Sequence, residues 1–385
     1  MIYFDNAATT IHKPQAVIDA VTKAMSSLGN AGRGTHERTL DASRLVYEAR
    51  KEIASFFHIQ DARCVAFTLN ATESLNTAIK GTLMTGDHCI TTAMEHNSCL
   101  RPLYEMEGIG VELTVLPLHD DGAISLEELE EEIKENTRAI VASGASNVTG
   151  NCTDLAAIGA IAKRHGLLFI VDASQLAGCH DIDMECMGID VLCFTGHKGL
   201  YGPQGTGGIV VRDGVVVMPF KTGGTGIRSF SKAHPMEMPA ALEAGTLNAH
   251  GIAGLLEAIR FLEATGLENI RAREISLAKR FYEGVIAING VLCYGDYSDW
   301  EKRVPIVSLN IFEEDAAIVS DCLEREYGIA TRPGAHCAPL VHAAYGTIAQ
   351  GMVRFSFSYF NTEEEVDEAI RAVEKIAADC AENPE

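Results

Sequence analysis

The chain has 385 residues, 47% of them apolar, which exceeds one ordinary core and predicts two domains. A net charge of −22 argues against nucleic acid or an anionic membrane as partner. The 11 cysteines, an odd number with no C-x-x-C pair, argue against disulfides and a structural zinc site, and no metal is expected.

Met1 leads directly into Ile-Tyr-Phe-Asp5 with no signal peptide. No apolar run approaches the roughly 20 residues of a spanning helix, so a cytoplasmic protein is expected. The first dozen residues are expected to join the smaller domain or cross the cleft. Pro14 opens a helix that runs to about Leu28. Apolar strand candidates lie near 64–68, 88–92, 111–115, 138–142, 167–171, 190–194 and 207–211, mostly separated by helical patterns. That alternation predicts a doubly wound α/β sheet. The acidic run Leu126–Glu132 follows Ser125, a good N-cap, and reads as a solvated helix face. After His250 the pattern changes to a helical region over 252–289, a strand at 304–310, a helix near 315–327 and a last helix from Thr362. Residues 14–250 are read as a large domain, and 1–13 with 251–385 as a small α+β domain. Cys64, Cys89, Cys179, Cys193 and Cys293 lie in or beside apolar runs and read as core residues.

Polar residues cluster at strand ends, where open α/β sheets bind ligands. In Phe67-Thr-Leu-Asn-Ala-Thr-Glu-Ser-Leu-Asn76 a helix begins near Ala71 or Thr72. Its free N–H groups and the Thr72 hydroxyl suit a phosphate, although an ordinary N-cap reads equally well. His96, after the strand at 88–92, could stack on a flat ring and move protons, and Asn147, in Ala145-Ser-Asn-Val-Thr-Gly150, could bond a cofactor oxygen. Both also read as plain turn residues. Asp172 closes the run Gly166-Leu-Leu-Phe-Ile-Val-Asp172 and, alone, reads as a strand-end hydrogen-bonder. Gln175 could reach a phenolic oxygen.

The run Phe194-Thr-Gly-His-Lys-Gly-Leu-Tyr-Gly-Pro-Gln-Gly205 is the most informative. Lys198 stands at a strand end among glycines and apolar residues. Desolvation lowers an amine's pKa and fits it to form a Schiff base with an aldehyde. Pyridoxal 5′-phosphate is the aldehyde that fits, with Asp172 keeping its pyridine nitrogen protonated.

The ordered set Asp5-Asn-Ala-Ala-Thr9, Ala71-Thr-Glu73, Glu95-His96, Ser146-Asn147, Asp172-x-x-Gln175, Gly196-His-Lys198 and Glu243-Ala-Gly-Thr246 resembles the class V aminotransferase fold. Within it the chain is similar to the cysteine desulfurases and selenocysteine lyases, from residue 2 to about 370. The segment Thr331-Arg-Pro-Gly-Ala-His-Cys-Ala-Pro339 resembles the cysteine loop of the group II enzymes. The resemblance implies fold type I of the pyridoxal-phosphate transferases, with a mainly parallel seven-stranded sheet and a smaller α+β C-terminal domain. It implies Lys198, Cys337 and His96 as catalytic residues. It assigns the cofactor to Ala71, Thr72, His96, Asn147, Asp172, Gln175, Thr195, His197, Lys198 and Thr246. It assigns the substrate, L-cysteine or L-selenocysteine, to Arg354, Asn147 and Arg332. It further implies a homodimer, with Thr246 near the partner's cofactor, and a thiol or protein as sulfur acceptor. The residue beside Cys337, His336, is expected to favour its thiolate. The alternatives are a selenocysteine lyase, a plain aminotransferase or β-lyase that makes no use of Cys337, and a non-catalytic scaffold or sulfur-relay partner. The sequence departs from group II at Ala71, where a second threonine is usual, and over 223–243, where the family has a hairpin.

Overall fold

Runs such as Leu168-Phe-Ile-Val-Asp172 and Val191-Leu-Cys-Phe-Thr195 lack the alternation of a one-sided strand because almost every residue in them is buried. In the computed structural model, which describes residues 1–32 and 34–382, these two strands sit at the centre of a seven-stranded sheet. The order across the sheet is Val65–Thr68, Gly207–Val211, Val191–Thr195, Leu168–Asp172, Thr137–Ser143, His88–Thr92 and Glu112–Leu116. Gly207–Val211 runs antiparallel to both neighbours, and the other pairings are parallel. The mainly parallel sheet read from the sequence is therefore present, with each strand within two residues of its expected place.

A second, antiparallel sheet has the order Arg332–Gly334, Met352–Ser356, Ile306–Ile311 and Val291–Tyr294. It carries its own core, in which Phe281, Phe355 and Phe357 pack with Leu309 and Val373. The N-terminus reaches both sheets. Ile2–Tyr3 pairs with Ile329–Ala330 beside the second sheet. Thr10 then donates its backbone N–H to the His197 carbonyl at the end of the first sheet, 3.0 Å away.

Three expectations are corrected. The region 252–289 is two helices, Ala249–Thr265 and Leu267–Val285, broken at Gly266, whose φ of +85° leaves the helical region. The first of these packs into the core of the large sheet through Ile252, Leu255 and Ile259. Cys293 is only half-buried, because Val291–Tyr294 is an edge strand. Between Gly223 and Glu243 the chain forms no strand or helix, so the hairpin implied by the resemblance is absent there.

A long helix, Glu37–Phe56, had no counterpart in the sequence reading. Its buried face is made of Thr39, Ala42, Val46, Ala49, Arg50 and Ile53, small or charged side chains that give a weak apolar stripe. Arg50 is buried because Glu243 meets it through both carboxylate oxygens, one of them 2.6 Å from Nη1.

Candidate active site

The C-terminal ends of the large sheet's strands and the second sheet enclose a cavity of about 310 Å³. Its lining unites Ala71, Thr72, His96, Asn147, Asp172, Gln175, Thr195, His197 and Lys198 with Arg332, Cys337 and Arg354. Every residue assigned above to catalysis, cofactor or substrate lines this one cavity except Thr246. Thr246 lies on a separate crevice with Thr68, Glu73 and Lys221.

The floor is set by strand ends. Asp172 is the last residue of Leu168–Asp172, and its Oδ1 accepts from Ser174 N at 2.9 Å and Ser174 Oγ at 2.5 Å. These bonds hold one oxygen, and among the described residues Oδ2 has only a distant thiol, Cys99 Sγ at 4.0 Å. Lys198 follows Val191–Thr195, and desolvation there lowers its pKa to about 8. Asp172 opposes that shift, while the charges of Arg354 and Arg332 add to it.

At one end of the cavity the helix Ala71–Thr82 presents its first turn, capped by Asn70 through Glu73 N. Thr195 Oγ1 and His197 Nδ1 are buried beside it with no hydrogen-bond partner among the described residues. Orphaned buried polar atoms at a helix start fit an anionic oxygen group. These atoms and Thr72 supply donors for a phosphate, and the Asp172 carboxylate on the same cavity supplies an acceptor for a ring nitrogen, so the lining fits pyridoxal phosphate.

His96 caps the helix Asn97–Gly108: its Nδ1 accepts from Ser98 N at 3.0 Å and lies 2.9 Å from Ser98 Oγ. The accepting Nδ1 carries no proton, so the neutral ring holds its proton on Nε2. Burial, with help from Lys198, drives its pKa to about 4, and the ring is neutral at neutral pH. Ser98 Oγ is also 2.9 Å from Thr72 Oγ1, which ties His96 to the helix start. Behind the floor, the buried Glu95 accepts from Ser143 N, Ser143 Oγ and Thr92 Oγ1 at 2.7–2.9 Å. Its pKa is raised to about 7 by desolvation.

The opposite wall comes from the second sheet. Arg354, on Met352–Ser356, is buried; its Nη1 donates to the Asn147 carbonyl at 2.8 Å and its Nη2 meets Asp5 Oδ1 at 2.9 Å. Its Nε has no partner among the described residues. Cys337 is exposed and stands in a loop where His336 and Cys337 have φ of +52° and +58°. Two successive non-glycine residues in this region cost on the order of 1–3 kcal/mol each. The neighbouring elements hold them there. Asn97 N donates to the Cys337 carbonyl at 2.7 Å, and Asn147 Nδ2 donates to the His336 carbonyl at 2.7 Å.

Two expectations change at this wall. His336 does not serve the thiolate as a cation: its ring is buried, hydrogen-bonded to the Arg332 carbonyl, and desolvated to a pKa well below the ordinary value. Asn147 uses its amide to secure the cysteine loop as well as facing the cavity. Sequence reasoning missed Glu95, Ser98 and Ser174 as supports, and Asp5 as the partner of Arg354. Only the spacing His96-x-Ser98 and Asp172-x-Ser174 carried a signal for any of them, that of a side chain capping the turn two residues on.

Residues 2–369 match the family described as aminotransferase class-V. A probable cysteine desulfurase of Methanothermobacter thermautotrophicus is 33% identical over 384 residues, covering 98% of this chain and 94% of that relative. A cysteine desulfurase of Salmonella typhimurium is 33% identical over 388 residues, covering 98% and 93%. Among solved structures, the apo cysteine desulfurase of Thermococcus onnurineus superposes with a TM-score of 0.92 at 32% identity, covering 98% of this chain and 95% of that one. A cysteine desulfurase of Escherichia coli gives 0.87 at 28% identity, covering 98% and 94%.

Proposed function

The chain belongs to the class-V aminotransferase family, and from that premise we propose that it is a pyridoxal-phosphate-dependent cysteine desulfurase. It converts L-cysteine to L-alanine and leaves the sulfur as a persulfide on Cys337. The observation that carries this reading is the exposed Cys337 thiol on the rim of a cavity whose floor is Lys198 and Asp172.

The roles follow from position. Thr72, Thr195 and His197 would hold the phosphate, Asp172 the ring nitrogen, and Gln175 and Asn147 would face the ring's polar edge. When bound, the cofactor supplies an electron sink for the electrons left at the substrate Cα. Lys198 also acts as the base: an amine with a pKa of about 8 is partly neutral at neutral pH and can accept the Cα proton at Nζ. Arg354 binds the substrate carboxylate through its planar fork, and Asp5 is the group that carboxylate displaces or joins. Arg332 lines the same wall and adds a second positive charge. His96, which lines the cavity with its proton on Nε2, would serve as a proton donor there. The Cys337 thiolate attacks the substrate sulfur: the S–S bond forms, the carbon–sulfur bond breaks, and its electron pair stays with Cβ, which takes up a proton as alanine is completed.

The active form is a homodimer in which Thr246 serves the partner's phosphate site. The crevice around Thr246 and the apolar side chains Phe220, Ile227 and Phe230, all exposed, support that reading. The chain divides into a large domain, 14–250, and a small one, 1–13 with 251–385, except that the helix Ala249–Thr265 packs with the large domain's core. The acceptor of the persulfide is a thiol or a protein, and the site of action is the cytoplasm. No helix among the described residues is long and apolar enough to cross a membrane.

The test is alanine release from cysteine and selenocysteine side by side, with and without a reductant, followed by mass-spectrometric mapping of the added sulfur. Sulfur on another cysteine would replace this reading with that of a β-lyase.

A further inference from the structure

Behind Cys337 lies a pair of histidines for which the reaction has no direct use. His336 is 4% and His342 1% exposed. His336 Nε2 is 2.9 Å from the Arg332 carbonyl, His336 Nδ1 is 3.4 Å from His342 Nε2, and His342 Nδ1 is 2.8 Å from Thr347 Oγ1. The two rings are nearly parallel, at 12°.

The chain of bonds has one direction when both rings are neutral. A carbonyl oxygen only accepts, so His336 Nε2 carries the hydrogen. His336 Nδ1 is then an acceptor, His342 Nε2 must donate to it, and His342 Nδ1 accepts from the Thr347 hydroxyl. Desolvation keeps both rings neutral, and the charges of Arg354 and Arg332 reinforce this at His336. The His336 ring is therefore held at both edges, one by its own strand and the other by His342.

Resting on the reading of Cys337 as nucleophile, we propose that His342 is a positioning residue for Cys337, acting through the His336 ring to hold the loop in its left-handed conformation. The loop's backbone is tied from outside at two carbonyls, His336 by Asn147 and Cys337 by Asn97, and within itself by Ala338 N donating to the Ala335 carbonyl at 2.9 Å. The His336 side chain is a further anchor, and it is the residue immediately before the thiol. Without His342 the buried His336 Nδ1 loses its donor, and the ring has reason to leave its pocket. The rotation that satisfies it also moves Cys337. His342 touches neither the cavity nor a reacting atom, so its effect is confined to the sulfur-transfer half of the reaction.

The experiment uses the holoenzyme with His342→Leu and His342→Gln, and Thr347→Val as a milder break at the far end of the same chain. Three quantities are read: turnover per bound cofactor, the spectral response of the cofactor band to added cysteine, and the alkylation rate of Cys337 by iodoacetamide, located by peptide mapping. His342→Leu is expected to lower turnover about tenfold and raise Cys337 alkylation at least threefold, with the spectral response intact. The amide of His342→Gln can still donate to His336 and should restore both within about threefold. Thr347→Val should move both in the direction of His342→Leu, by less, and it decides the matter alone if His342→Leu does not fold. An unchanged alkylation rate in both His342→Leu and Thr347→Val, or in Thr347→Val alone if His342→Leu does not fold, overturns the proposal. So does a turnover loss matched by an equal loss of the spectral response, which marks a merely structural residue. Alkylation reads the loop without turnover, so the proposal stands or falls even if the sulfur proves to reside elsewhere.

Discussion

The two walls of the cavity are built on different principles. The floor, with Asp172, Thr195 and Lys198, is placed by the ends of two adjacent parallel strands, buried almost throughout. The Cys337 wall is a loop with two residues of positive φ, an exposed thiol, and anchors borrowed from other elements. The floor must keep a fixed ring aligned. In the proposed reaction the loop would meet a substrate on one side and deliver sulfur on the other, a reach that a strand end lacks. Rigidity is thus supplied where the chemistry needs registration, and a strained, tethered segment where it needs reach.

Substitutions on each side should separate these roles. The largest effect is expected at the floor. Lys198→Ala removes the covalent anchor and the base together, and should lower cysteine turnover by more than about a thousandfold. Borohydride reduction of the parent should fix cofactor mass to the Lys198 peptide, and that mass should be missing in the variant. On the loop, Cys337→Ala should keep the cofactor band and cysteine binding yet lose at least about a hundredfold in desulfuration. Selenocysteine cleavage should fall less, because selenium is the better leaving group. Full cysteine activity in Cys337→Ala would erase the contrast between the two walls.

Between them, Arg354→Lys keeps the charge and loses the fork. It should raise KM for cysteine about tenfold with a smaller change in kcat, read from steady-state kinetics at fixed pH. The smallest effect concerns the floor alone. With its pKa lowered to about 8, Lys198 in the cofactor-free protein gains its neutral form as pH rises through 8. The rate of cofactor uptake, followed by the visible band, should rise about fivefold from pH 7 to pH 8 and level off above about pH 9. A rate still climbing tenfold per pH unit at pH 9 would mean an ordinary, solvated lysine.

The difference between the walls also governs what the sequence could reveal. Strand-end residues are legible because a buried run announces its own end: Asp172 and Lys198 follow such runs, and the strands lie within two residues of their expected places. The supports are less legible because their meaning depends on distant partners. Asp5 acquires its role only from Arg354, and His342 only from His336 and Thr347. His336 illustrates the hazard directly. Its place beside Cys337 in sequence suggests a group that favours the thiolate, while the left-handed backbone turns the ring into the protein and burial keeps it neutral. The helix Glu37–Phe56 escaped notice for a related reason: its buried arginine makes sense only once Glu243 stands opposite.

The Asp5–Arg354 pair has a bearing on how the protein is made. The two residues are 349 positions apart, and the first strand, Ile2–Tyr3, likewise has its partner at Ile329–Ala330. At a synthesis rate of about 5–20 residues per second, Asp5 is translated roughly 20–70 s before Arg354. Thr10 can find the His197 carbonyl once the large sheet is made, whereas Asp5 must wait for Arg354. The Asp5–Arg354 side of the cavity is therefore completed after the large sheet's strands, as a late event of folding.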